Sequence, residues 1–330
     1  MRRMNQLVTV FGGSGFVGRH VVRALIKRGW RVRVAVRRPD LAFHLQPIGR
    51  VGQIQAVQSN LRYPASVAAA LQGADAAINL VGIGASRGRQ NFEAVHVFGA
   101  RAVARAVAAA GISHFVHMSA LGADAASDSA YAASKARGEE AVKEAVPQAT
   151  IVRPSFIFGP EDTFFNRHAA MARLMPVLPL IGAESRSQPV FAGDVAEAIA
   201  KAVSGEAKTG VTYELGGPEV KTGREIVEFV CAATGRKRVL LPLSPTAASL
   251  LARVTEIGKT ASLGLLPDTF YVTGDQVKML QRDNLVSATA AAEGRTLEGL
   301  SLQPSSIESI VPSYLVRFRK TGQFDHTRIA

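Results

Sequence analysis

Three glycines carry the first chemical signal. Gly12, Gly15 and Gly18 are spaced GxxGxxG within VTVFGGSGFVGRHVV. They follow an apolar run, Leu7–Phe11, and precede Val17, Val21, Val22, Leu25 and Ile26 at helical spacing,. Gly12 permits a tight strand-to-helix turn. Gly15 lets the backbone approach a pyrophosphate without a Cβ clash, and Gly18 lets the helix pack close to a sheet. The backbone N–H groups at the helix start, around Phe16 and Val17, are then free to meet an anion. A dinucleotide site is the expectation, with a plain tight turn as the alternative. Arg37 and Arg38 end the second apolar run, in VAVRRP, with Asp40 three residues beyond Arg37 and past Pro39. A ribose 2′-hydroxyl calls for an acid at that point, whereas a 2′-phosphate favours a guanidinium that can bind it bidentately. The pair favours NADP(H) over NAD(H); solvated loop charges are the plainer reading. Tyr131 and Lys135, four apart in YAASK, fall on one face of a helix,.

The elements that must position these residues are legible as alternating patterns. Strands are expected at 7–11, 31–36, 54–57, 74–81, 114–118 and 150–153,. Between them lie helical patterns. One opens at Pro64 and is closed by Gly73, one runs from Phe92 to Ala110 before Gly111, and one from Tyr131 to Ala145 before Pro147,. Repeated strand–helix–strand units predict an α/β fold with a doubly wound parallel sheet. The second half is less regular. Val190–Phe191 and Val211–Leu215 read as strands, with Asp194 capping a helix at 195–203 and a further helix at 222–233,. Beyond residue 236 the pattern is mostly helical. The expected organisation is a nucleotide domain over 1–155 and a smaller, mostly helical lobe over 156–330, with 187–215 returning to the first.

These motifs together resemble the extended short-chain dehydrogenase/reductase superfamily, which implies a Rossmann fold. YAASK matches its YxxxK pair, and RPSFIFGP at 153–160 resembles its Arg-Pro…Gly-Pro segment. The resemblance implies that Asn60 and Leu61 touch the adenine, that Val81 and Gly82 touch the ribose, and that Pro154 lines the cofactor site. It further implies that Tyr131 is the general acid/base and that Lys135 lowers its pKa and bonds the nicotinamide ribose. Two supports of that chemistry depart from the pattern. HMSALGAD offers Ser119, while the family's hydroxyl aligns with Leu121; and His96 stands where the family often has asparagine. The segments at 161–182, 187–203 and 309–324 give a narrower resemblance, to the family of the dehydrogenase-like alpha-subcomplex subunit nine of respiratory complex I. That resemblance implies a structurally held NADPH, an incomplete catalytic tetrad and complex I subunits as partners.

Composition bounds the alternatives. The 330 residues are 47% hydrophobic and 20% charged, with a single cysteine, Cys231, so an intrachain disulfide and a zinc cluster are excluded,. No two histidines, His326 included, have metal-ligand spacing, and no metal is expected. His114 and His117 read as ordinary strand residues on opposite faces. Glu161-Asp162 reads as the acidic start of a helix. No run approaches about 18 apolar residues, so no spanning helix is expected. The chain is therefore expected to be cytoplasmic, with a peripheral site on the cytoplasmic face of the inner membrane as the membrane-linked version. Net charge is +13, and residues 1–60 hold 11 basic residues against one acid. Arg37 and Arg38 have a task there; Arg2, Arg3, Arg23, Lys27 and Arg28 do not. Nucleic acid is not expected as a partner, because 6% aromatic content gives no stacking groove,. The remaining excess is consistent with codon bias together with a face suited to an anionic membrane or an acidic partner. The stripe Ala247, Leu250, Leu251, Val254 and Ile257 reads as core, with a docking face as the alternative. Val311–Phe318, followed by Arg319 and Lys320, is the preferred docking segment. Two functions stay open: a non-catalytic accessory or assembly protein, and an active NADP-dependent reductase, epimerase or dehydratase on a sugar nucleotide or isoprenoid-like ketone.

Overall fold

The computed structural model describes residues 6–261 and 271–320. Arg2, Arg3, residues 321–324 and His326, named above, lie outside them. The chain divides into two compact units. The first comprises Met1–Pro154, Ala192–Gly216 and Val286–Pro304; the second comprises Ser155–Phe191, Gly217–Leu285 and Ser305–Ala330.

The first unit is built on β1 (Leu7–Phe11), α1 (Phe16–Lys27), β2 (Arg31–Val36), β3 (Ile54–Gln58), α2 (Pro64–Leu71), β4 (Ala76–Asn79), α3 (Gly99–Ala109), β5 (His114–Met118), α4 (Ala130–Ala145) and β6 (Thr150–Pro154). The six strands and the strand Thr212–Leu215 form one parallel sheet, in the order Thr212–Leu215, β6, β5, β4, β1, β2, β3. Both faces are covered, so the central strands read as near-continuous apolar runs: Val8, Val10, Val34, Ala77 and Ile78 are buried,. From β3 the chain crosses back to place β4 on the other side of β1. That reversal opens a crevice at the carboxyl ends of β1 and β4, where ligands of such sheets bind.

Several elements differ from the sequence pattern. The helix expected from Phe92 to Ala110 is two: Glu93–Phe98 is wound as a π-helical stretch and α3 follows. The helix expected from Val195 starts at Ala192, so Asp194 lies in its first turn instead of capping it, where the dipole still favours an acid,. β4 is shorter than 74–81, because the Asp75 carboxylate leaves the strand to accept the Leu7 N–H. Two of the basic residues in the first 60 have evident structural tasks. Arg28 pairs with Glu197 and Glu206, and Arg33 donates to the carbonyls of Ala70 and Gln72 at the end of α2. Arg31 lies exposed at the start of β2, and Arg23 and Lys27 are exposed on α1.

In the second unit, the helices Phe164–Leu174, Gly223–Ala233 and Ile307–Leu315 pack Phe158, Phe165, Ile226, Val230, Val311, Tyr314 and Leu315 into one core. Val311, Tyr314 and Leu315 are therefore interior, which corrects the reading of Val311–Phe318 as a docking segment. Its helical spacing turns that face toward Phe158 and Phe165. Asp162 starts its helix as expected, accepting the N–H groups of Phe165 and Asn166, and it also accepts the Tyr314 hydroxyl at 2.6 Å. The stripe at 247–257 is corrected as well. Leu250, Val254 and Ile257 are exposed, and Ala248 and Ala252, on the other face, pack with Val272 and Val277. The small residues allow the closer approach, so the helix turns its bulkier face outward. No described helix is long and apolar enough to cross a membrane.

Gly18 fixes how closely α1 approaches the turn before it. A Cβ there would lie 2.5 Å from the Gly12 carbonyl oxygen and 2.6 Å from Gly13 backbone atoms. Gly18→Ala is expected to lower unfolding free energy by about 1–3 kcal/mol, the cost of overpacking against backbone. The gain in helix propensity of about 1 kcal/mol does not offset displaced backbone. Urea denaturation of the two proteins checks this; an unchanged or raised stability contradicts it.

Candidate nucleotide site

The glycine turn is built for an anion. Gly12 has φ +78°, a left-handed conformation that suits glycine, and its N–H donates to the Ala35 carbonyl,. Gly15 is the N-cap of α1 and is exposed; it offers no side chain to cap the helix, and the first turn holds no acid. The N–H groups of the first turn, at Phe16, Val17 and Gly18, are those that an α-helix leaves without an intrahelical acceptor, and Gly15 supplies no side chain to take them,. Val17 and Gly18 are buried, and the half-buried Phe16 ring sits edge-on to His20. A Cβ on Gly12 would meet Val81 and the Leu80 carbonyl carbon at 3.2–3.3 Å, so the turn lies directly against the end of β4. The bare helix start and the glycine-lined cradle fit a pyrophosphate.

At the far end of the crevice, Arg37 and Arg38 follow β2 and are both exposed. They behave differently. Arg38 is engaged by Asp40 in a bidentate pair, at 2.7–3.2 Å, which raises the guanidinium pKa and lowers that of the carboxyl. Arg37 makes no hydrogen bond or ion pair among the described residues. Asp40 therefore answers one arginine and leaves the other. After β3, Asn60 accepts the Arg62 N–H on its side-chain oxygen and Ser66 clasps its backbone, so Asn60 shapes the loop with Leu61 behind it. Leu61 packs against Gly99, where a Cβ would lie 2.9 Å from its Cδ1.

The central cluster gathers side chains from β4, β5, the π-helical stretch and α4. Tyr131 and Lys135 do share a face: the Lys135 Nζ stands 5.8 Å from the centroid of the Tyr131 ring. Lys135 is buried and donates to the Met118 carbonyl at 3.3 Å. Burial pulls its pKa down to about 8, against the opposing pull of Glu139 one turn along. Glu139 is itself buried and forked to Arg153 by two bonds of 2.8 Å. Gly82 lies above the lysine, where a Cβ would be 3.4 Å from Nζ and 3.6 Å from His96 Nε2. Val81 is tied down by its N–H to the Asn79 side-chain oxygen, at 3.1 Å. Pro154 is buried at the end of β6 and accepts the Leu121 N–H.

Two histidines complete the cluster, and both must be neutral. His96 Nε2 accepts the Ile83 N–H at 3.0 Å, so Nδ1 carries the proton and donates to Ser134 Oγ at 2.9 Å,. His117 Nδ1 accepts from the Asn79 amide at 3.2 Å. It is buried, unlike the half-buried His114, and it is more than the ordinary strand residue expected from sequence. Burial, and then the charge of Lys135, take each histidine from 6.5 down to about 3. Asn79, His117, Ser134 and Met118 have no motif in sequence. The matched ends of β4 and β5 bring the first two together. Ser119 Oγ is buried with no hydrogen-bond partner, and Leu121 is buried. Among the described residues no group of histidine, cysteine or acid side chains could hold a metal.

The arrangement can seat a dinucleotide with its phosphates on α1 and one ribose near Lys135. It also holds a phenol beside an ammonium, a pairing of the kind used in acid/base chemistry,. Acid sensitivity follows from the histidines. The unfolded chain takes up their protons near pH 6.5 and the folded chain only near pH 3. The unfolded state thus binds more protons as pH falls through this window, and stability is lost. Each histidine contributes about 1.4 kcal/mol per pH unit. With His168, which burial also takes down to about 4, chemical denaturation at pH 6 and pH 5 is expected to show a loss of about 3–4 kcal/mol, reduced in His117→Gln. Equal stability at the two pH values contradicts it.

Comparison with known proteins agrees with this geometry. Residues 12–202 match the family model described as NAD(P)H-binding. The Arabidopsis thaliana mitochondrial NADH dehydrogenase [ubiquinone] 1 alpha subcomplex subunit 9 is 34% identical over 322 residues, which cover 96% of this chain and 79% of that protein. A Caulobacter vibrioides ceramide reductase is 40% identical over 190 residues, 58% of each chain. Among solved structures, the Escherichia coli NADPH-dependent quinone oxidoreductase QOR2 complexed with NADPH superposes with a TM-score of 0.72 at 19% identity, over 93% of this chain and 99% of that one. The chain is thus a member of the NAD(P)H-binding family of atypical short-chain dehydrogenase/reductases that includes complex I alpha-subcomplex subunit 9.

Proposed function

We propose that this chain binds NADP(H) as an accessory or assembly protein of respiratory complex I or quinone metabolism and does not turn over a substrate. The carrying observation is the asymmetry of the cluster. Tyr131 and Lys135 stand together, yet the end of β5 presents a buried Ser119 and an apolar Leu121 where a substrate-orienting hydroxyl would be needed. Lys135 then serves as the ribose contact. Gly12, Gly15 and Gly18, with Phe16 and Val17, hold the pyrophosphate. Arg37, unpaired while Arg38 is held by Asp40, meets the 2′-phosphate. Asn60 and Leu61 flank the adenine, and Val81, Gly82 and Pro154 line the ribose side. Residues 1–155 supply the nucleotide domain, and 156–330, apart from 187–215, supply a lobe for the partner. The relatives named as complex I subunits support subunits of that complex as partners. A peripheral place on the cytoplasmic face of the inner membrane is the location that goes with such partners.

Native mass spectrometry of the purified protein is expected to show one NADPH retained and complex I subunits captured with it. Rapid hydride transfer to a small carbonyl with no partner present overturns the reading. Arg37→Asp is expected to weaken NADPH by ten- to hundredfold, the worth of a charged hydrogen bond of about 1.5–3 kcal/mol, and NADH by less than about twofold. Equal weakening of the two removes Arg37 from the 2′-phosphate.

A second reading has its own observation. Lys135, held near a pKa of about 8 beside Tyr131, suits acid/base chemistry, and one relative is named a ceramide reductase,. The chain would then be an NADP-dependent reductase, epimerase or dehydratase acting on a sugar nucleotide or an isoprenoid-like ketone, the cofactor supplying the hydride. Tyr131→Phe is expected in that case to abolish turnover while leaving NADPH affinity within about twofold, since only the phenol hydroxyl is lost. Turnover that survives the substitution excludes this role.

A further inference from the structure

We propose that His96 is a positioning residue of the nucleotide site, a single ring that sets the separation between the segment after β4 and the Tyr131–Lys135 face of α4. The inference rests on the reading of the crevice as an NADP(H) site. Three structural features meet at the ring. First, its two nitrogens bond in opposite directions. Nε2 takes the Ile83 N–H at 3.0 Å, and Nδ1 gives its proton to Ser134 Oγ at 2.9 Å. Ser134 Oγ passes the polarity on by donating to the Tyr131 carbonyl at 2.7 Å. One imidazole thus joins a loop backbone to the first turn of α4, a span that asparagine is too short to bridge at both ends.

Second, the ring is caged. Phe92 stacks on it at 5.4 Å and 21°, and Tyr131 meets it edge-on at 5.4 Å and 87°. The Phe92 and Tyr131 rings also meet edge-on, at 5.8 Å. The orientation of His96 is therefore coupled to that of the Tyr131 ring. Third, the backbone is shaped to admit this arrangement. The π-helical stretch Glu93–Phe98 carries His96, and Gly138 on α4 lies so close that a Cβ would overlap the His96 carbonyl oxygen,. A Cβ on Gly82 would stand in ordinary contact with both His96 Nε2 and Lys135 Nζ, so this backbone, the ring and the ammonium are close neighbours. Ile83, whose N–H the ring holds, follows Gly82 directly, so the position of the ring is passed to the backbone beside the ammonium.

The test separates this role from the cofactor reading. Amide exchange in the ligand-free protein reports the clamp directly. In His96→Ala, exchange of the Ile83 amide is expected to quicken at least about tenfold, the loss of one partly buried hydrogen bond,. His96→Gln, the milder variant should the alanine form fail to fold, is expected to quicken it as well, by a smaller factor. Binding reports the consequence. NADPH is expected to weaken about tenfold in either variant. Adenosine 2′,5′-bisphosphate, which carries only the adenine half, is expected to stay within about twofold. An Ile83 amide that keeps its wild-type exchange rate in a folded His96 variant overturns the proposal, as does equal weakening of the two ligands. Wild-type protein that binds neither ligand overturns the cofactor reading instead, and the exchange measurement still decides the clamp.

Discussion

A buried ammonium organises this site. Lys135 has almost no water and one backbone carbonyl, that of Met118, within hydrogen-bond reach. A charge so placed costs several kcal/mol unless its surroundings answer it. Glu139 answers from one turn along the same helix, and its own charge is answered by Arg153. Burial first, and then the charge of Lys135, holds the His96 and His117 rings neutral, and their lone pairs accept from Ile83 and Asn79. The constraint spreads outward from one side chain to β4, β5, β6 and the helix between them.

The glycines serve the same end by a different means. Gly18 and Gly138 each sit where a Cβ would overlap backbone. They let α1 close on the phosphate turn and α4 close on the π-helical stretch. What results is a crevice with a bare helix start at one end and a neutral, hydrogen-bonded cluster at the other. A negative ligand is welcome at the first, and a fixed ribose suits the second. The chain's strong positive charge belongs partly to this picture. Arg37 faces outward beside the crevice, while Arg28 and Arg33 are spent on carboxylates and carbonyls inside the unit.

Much of the fold was legible because it rests on short-range rules. A strand buried on both faces has to be apolar throughout, and a parallel strand has to be followed by a crossover helix, so the six-strand alternation could be read from residue order. The glycine turn was legible for the same reason: the demands of a tight turn and a close helix are local. Helix faces were harder. Val311, Tyr314 and Leu315 carry the spacing of a docking helix and are core, while Leu250, Val254 and Ile257 carry the spacing of a core helix and are exposed. Periodicity shows that a helix has an apolar side. It does not show what covers that side, because the cover comes from elsewhere in the chain.

The sequence by itself determined that a dinucleotide-binding sheet would form, where its phosphate turn would lie, and that a tyrosine and a lysine would share a helix face. Tertiary structure decided what those two residues meet. His96 meets Ser134, 38 positions away, and Ile83, 13 positions away; Asn79 meets His117 through strand register. Their pKa values depend on burial, and burial is a property of the assembled unit. Tertiary structure also distinguished Arg37 from Arg38, two identical neighbours in sequence, because only one of them can reach Asp40. Local chemistry places a side chain along the chain; only packing sets the dielectric around it and the partner opposite it.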